Sequence, residues 1–201
     1  MNVHARPLRQ TTQAAEGLHR WPWTVAEIER LVEAGIVAEN ERFELIGGEI
    51  VPMNPKGAFH EGVKKELNRH WAKLLPPDLD MITETTFRLG AHDFLEPDFV
   101  FWPRALGITG LKPDVVQLVV EIADSSLAYD LGRKAALYAA LGIADYWVIN
   151  AQTLVTHIHR EPSPNGFAQI SDHAGDAVLT PKLLPGLAVR LTALSLSPSA
   201  A

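Results

Sequence analysis

Glu121 stands where a hydrocarbon side chain is expected. It interrupts the run Leu118-Val119-Val120-Glu121-Ile122-Ala123. Such a run reads as a central strand covered on both faces, where an isolated carboxylate is very costly to bury. The group must keep its proton, meet a cation or open onto a cleft. A second acid, Asp98, heads the run Asp98-Phe99-Val100-Phe101-Trp102 after Glu96-Pro97, and Pro is common at a strand start. Two acids on neighbouring strands of one sheet can converge on a divalent metal. Their combined charge suits Mg2+, which takes oxygen ligands and keeps several waters. Lys134 follows on the next helix, with Asp130 four residues before it and Tyr138 four after, all on one helical face. From there an ammonium can lean over the sheet edge toward a phosphate. Each residue also has a plainer reading. Glu121 could be a strand-end acid meeting a structural cation and Asp98 a turn former. Asp130–Lys134 could be a surface pair worth about 0.3–0.5 kcal/mol.

Other chemistries find less support. The chain has no Cys, which excludes disulfides, thiolate zinc sites and cysteine nucleophiles. There is no G-x-x-x-x-G-K-[ST], no G-x-G-x-x-G after a strand and no G-x-S-x-G. His157 and His159 share one face of an expected strand, as zinc ligands could, but no third ligand stands at suitable spacing. The net charge of −6 speaks against a protein that coats nucleic acid through a cationic surface, though not against a local basic face. Lys65, Arg69 and Lys73 form such a stripe, for which a solvated helix face is the simpler reading.

The elements that must position these residues can be read along the chain. At 201 residues and about 150 per domain, one domain is expected over 21–201, after a flexible polar arm over 1–20. Hydrophobic residues make up 47%, enough for a packed core. No stretch approaches the roughly 18 apolar residues of a membrane helix, and no apolar secretory core is visible near residue 1. A cytoplasmic protein is expected. Thr24 with Glu27 fits a capping box for a helix over 24–34, stopped by Gly35. Phe43–Ile46, Gly47-Gly48 and Glu49–Val51 read as a hairpin. A helix over 59–75 ends at Pro76-Pro77. Strands are expected over 81–89, 98–102, 115–123, 145–150, 153–159, 167–171 and 187–192. Ser125 or Ser126 can cap a helix over 127–141 that stops at Gly142. Helix, hairpin, helix, strands, helix, strands describes an α/β (α+β) chain with a mixed central sheet flanked by helices.

The order Glu96-Pro97-Asp98, then a hydrophobic strand carrying Glu121, resembles the PD-(D/E)XK nuclease core. In that core the lysine usually lies two residues after the second acid, and here that place is Ala123. One branch is similar over about 43–150, the Uma-type restriction endonucleases, in which the lysine has moved to the following helix. The matching segments are Phe43–Val51, His60 with Leu67, Glu96-Pro97-Asp98, Val120-Glu121-Ile122, Asp130 with Lys134 and Tyr138, and Gly142–Val148. The chain departs at Asp124-Ser125, where Ser-Pro is frequent, and at Asn150, where Asp is frequent. The resemblance implies a restriction-endonuclease-like fold and Mg2+-dependent hydrolysis of DNA, with Mn2+ as a substitute metal. It implies Asp98 and Glu121 as metal ligands, Lys134 as the catalytic lysine, and Glu44 and His60 as further site members. It also implies a homodimer. The competing expectation is a non-catalytic binding module that keeps a nuclease-like fold.

Overall fold

A computed structural model describes residues 21–38 and 40–196. The expected arm over 1–20 lies outside them. Helix α1 (Val25–Glu33) begins at the expected capping box. The Thr24 hydroxyl accepts from the Glu27 N–H at 3.2 Å, and the Glu27 carboxylate accepts from the Thr24 N–H at 2.8 Å. Val25 and Ile28 bury against Leu45 and Phe94. Strands β1 (Phe43–Ile46) and β2 (Glu49–Pro52) form the hairpin, with Gly47 and Gly48 at φ +59° and +76°. Two positive φ angles are what a tight hairpin turn requires. Helix α2 (Ala58–Leu74) turns Val63, Leu67 and Trp71 inward. Lys65, Arg69 and Lys73 stay exposed, the first two beside Glu66. That stripe is a solvated face.

Eight further strands follow: β3 (Leu79–Ile82), β4 (Phe87–Arg88), β5 (Phe94–Leu95), β6 (Phe99–Pro103), β7 (Leu118–Ala123), β8 (Asp145–Asn150), β9 (Thr156–Ser163) and β10 (Gly166–His173). They make a small sheet, β2-β1-β5-β4, and a larger one, β10-β9-β8-β7-β6-β3. In the larger sheet β7 and β8 run parallel while the other described pairings are antiparallel. A parallel pair needs a crossover. Helix α3 supplies it in three consecutive pieces, Leu127–Tyr129, a π-helical turn Asp130–Lys134, and Ala135–Ala140. All six residues of β7 are buried because α2 covers one face of the sheet and α3 the other. Leu118, Val120 and Ile122 pack with Val63, Leu67 and Trp71, and Val119 and Ala123 with Ala135 and Tyr138.

Several boundaries differ from expectation for local reasons. The strand expected over 115–123 begins at Leu118, since Pro113 opens a 3-10 turn through Val115. The segment expected as one strand over 81–89 divides between the two sheets. Residues 187–192 are no strand. They run between short 3-10 turns and join Leu179 through one isolated bridge at Val189. Ser126 stands at the N-cap position of α3, as expected, but does not cap it through its side chain. The Ser126 hydroxyl makes no cap hydrogen bond and turns to the Asp130 carboxylate instead.

Candidate active site

Alternation along the strands brings the two acids to one face. Val119 and Ala123 belong to the core under α3, so Glu121, lying between them, also faces α3. In β6, Val100 and Trp102 belong to the same core, and Asp98 begins that face two residues earlier. The register pairs Val100 with Val119 and Phe99 with Val120. The ladder ends there, one residue short of Asp98 and Glu121, and beyond it the Ile122 N–H of β7 bonds the Asp98 carboxylate at 2.8 Å.

Lys134 reaches this face from α3. In the π turn the Asp130 carbonyl accepts from the Ala135 N–H and also from the Tyr146 hydroxyl at 3.0 Å. The widened turn leaves Asp130 and Lys134 both buried. Lys134 Nζ lies 2.9 Å from Glu44 Oε1, 3.0 Å from Glu121 Oε1 and 3.4 Å from Asp130 Oδ1. Lys134 is 5% exposed and Glu121 3%, which rules out the surface-pair reading. Glu44, on β1, also accepts from the Glu96 N–H and the Tyr129 hydroxyl, each at 3.1 Å. The Tyr138 hydroxyl donates to Glu121 Oε1 at 3.4 Å. One ammonium cannot compensate three buried carboxylates. Burial pushes Glu121 well above the usual carboxylate range; Lys134 opposes this, and Asp130, Asp98 and Glu44 add to it. Burial raises Asp130 as well, against Lys134. Burial works against the Lys134 ammonium, but Glu121, Glu44 and Asp130 outweigh it and hold that cation well above its ordinary range.

Asp98 has a separate set of partners. Its Oδ2 accepts from the Ile122 N–H at 2.8 Å and faces His60 Nε2 at 3.0 Å. Its Oδ1 accepts from Lys56 Nζ at 2.9 Å. Burial opposes ionisation here too, yet His60, Lys56 and the Ile122 N–H prevail and bring Asp98 down to about 2. His60, in the first turn of α2, also has Nδ1 3.3 Å from Glu61, so it orients Asp98. All five residues singled out from the sequence (Glu44, His60, Asp98, Glu121 and Lys134) line one cleft of about 1220 Å3.

Sequence reasoning missed Lys56 and Tyr129, which line the same cleft. Lys56 sits in a Pro55-Lys56-Gly57 loop with no periodicity to place it, and Tyr129 differs from an ordinary helical aromatic only by preceding Asp130. His157 and His159 are not brought into the cleft. His157 pairs with Asp172 at 2.7 Å, and His159 packs against Tyr146 and Phe167.

Among the described residues no three His, Cys, Asp or Glu side chains form a group able to hold a metal ion. Two carboxylates are enough for Mg2+, which completes its shell with water. Asp98 and Glu121 fit that requirement: the Asp98 carboxylate is bonded by the N–H of Ile122, the residue after Glu121, and both acids line the cleft. The Lys134 and Tyr138 hydrogen bonds to Glu121 both fall on Oε1. No helix among the described residues is long and apolar enough to cross a membrane.

The fold is similar to the crystal structure of a putative nuclease from Anabaena variabilis ATCC 29413. The two chains share 15% sequence identity and a TM-score of 0.67, over 85% of this chain and 96% of that one. At that identity the likeness concerns the fold. No curated protein matches the sequence. The model of one family, described as "Putative restriction endonuclease", matches residues 25–195, a span that holds both sheets and every residue of the cleft network. The chain belongs to that family, Uma2.

Proposed function

We propose that the protein is a Mg2+-dependent endonuclease that hydrolyses DNA phosphodiester bonds. The observation that carries this reading is the meeting of Asp98, Glu121 and Lys134 in one cleft. Asp98 and Glu121 would hold the cation, which when bound supplies a polarised phosphate oxygen and a more acidic water. Lys134, fixed by Glu44 and Glu121, places a positive charge where negative charge grows on the phosphate, in a site that needs little reorganisation to receive it. His60 and the Ile122 N–H fix the Asp98 carboxylate, and Tyr129 fixes Glu44. A duplex has two strands to cut, so this reading calls for a homodimer.

Purified protein should nick or cut plasmid with Mg2+ or Mn2+, and Asp98→Ala should abolish cutting while far-UV dichroism stays unchanged. Equal cutting by both proteins rejects the assignment. A second reading, a non-catalytic module with the same fold, draws on the fact that Lys134 and Lys56 are both already paired with carboxylates. It predicts no metal affinity sensitive to Glu121→Gln, which calorimetric Mn2+ titration measures directly.

A further inference from the structure

Lys56 occupies the Asp98 oxygen that a cation would need. Asp98 Oδ2 already has the Ile122 N–H and His60. The remaining oxygen, Oδ1, is held by Lys56 Nζ at 2.9 Å. Lys56 lies on the irregular segment between β2 and α2, and its long stem lets the ammonium move without the backbone. The same ammonium also bonds Glu84. Glu84 has an unusual backbone for a non-glycine residue, φ +53°, and its N–H donates to the Pro97 carbonyl at 3.0 Å. A backbone of that kind persists only where its surroundings enforce it. The Glu84 carboxylate is shared: the oxygen that meets Lys56 also lies 2.9 Å from Lys64 and 3.7 Å from Arg42.

We infer that Lys56 is a cation latch: its ammonium holds Asp98 while the metal site is empty, and it shifts onto Glu84 alone when a divalent cation takes Asp98 Oδ1. The inference rests on the reading of Asp98 and Glu121 as a cation site. The shift costs little because Glu84 keeps the ammonium paired. Lys56 thereby sets metal affinity as a positioning residue, and Glu84 is its resting place. A lysine that only braced Asp98 would have the opposite effect on removal, since a disordered Asp98 binds metal less well.

The test is calorimetric titration of Mn2+ into the full chain, free of DNA. Lys56→Met should bind Mn2+ about tenfold more tightly than the wild type, which corresponds to about 1.4 kcal/mol. Lys56→Gln, which keeps a hydrogen-bond donor without the charge, should shift affinity in the same direction. Glu84→Gln should weaken binding several-fold, because the ammonium loses its alternative partner. The double variant Lys56→Met/Glu84→Gln should follow Lys56→Met. Thermal melts confirm that each variant is folded. Affinity in Lys56→Met and Lys56→Gln equal to or weaker than wild type, with Glu121→Gln still abolishing binding, overturns the latch and leaves the cation site standing. Binding that survives Glu121→Gln, or is absent from the wild type and Lys56→Met alike, overturns both.

Discussion

Replacing Lys134 with Met removes the ammonium and keeps most of the aliphatic stem, so the change is chiefly electrostatic. It strands Glu44, Glu121 and Asp130, each no more than 3% exposed, without the cation within 3.4 Å of all three. Breaking a buried ion pair by deleting one partner costs about 3–5 kcal/mol. For a chain of this size each kcal/mol lowers Tm by about 2–4 °C, so a fall of about 10 °C is expected at pH 8. The loss should be smaller at pH 5. Glu121 and Asp130 have folded-state affinities for protons raised by burial. A carboxylate with a raised folded pKa contributes stability below its unfolded value near 4.3, and that contribution fades as pH rises. Without Lys134 the two groups hold protons still more tightly, so acid partly relieves the variant. Urea titrations of wild type and Lys134→Met at both pH values measure this. A loss below about 1 kcal/mol at both, the range of an exposed pair, would refute the picture of a buried hub.

Asp98 has the opposite sign. Its folded pKa of about 2 lies below the unfolded value near 3.9, so its contribution of about 2–3 kcal/mol is present above pH 4 and is lost as pH falls toward 2. Acid titration monitored by dichroism should therefore show a shallower loss of stability between pH 5 and 2 in Asp98→Asn than in wild type, and parallel curves would reject the assignment of that slope to Asp98. Gly48→Ala places a Cβ 2.6 Å from Pro22 Cα at a residue with φ +76°. It should cost about 1–3 kcal/mol in chemical denaturation, whereas Gly62→Ala, with open space around its Cβ, should be neutral or stabilising.

The site was legible to the extent that its residues violate a pattern. Glu121 is a charged residue in an apolar strand, Asp98 heads another, and Lys134 lies on the crossover helix between parallel strands, so topology alone brings the three together. Glu44 and His60 carried no such mark and entered through resemblance to a family. Both line the cleft because β1 and the first turn of α2 abut the start of β6 and the C-terminal half of β7. Lys56 and Glu84 were illegible because their pairing depends on the path of an irregular loop and on one positive φ angle. The π turn was illegible for a related reason. Asp130 and Lys134 share a face in an ordinary helix too, and only the Tyr146 hydroxyl on the Asp130 carbonyl distinguishes the widened turn. The segment over 187–192 has strand-like residues but no neighbouring strand to pair with beyond Val189, so composition misled there.

The central claim is that Asp98 and Glu121 hold one cation between them, and anomalous diffraction from crystals soaked in Mn2+ tests it most directly. A peak about 2.1 Å from a carboxylate oxygen of each residue, lost in crystals of Glu121→Gln, is the predicted result. A strong peak bound elsewhere in the cleft, or none beside these two oxygens at millimolar Mn2+, would contradict it.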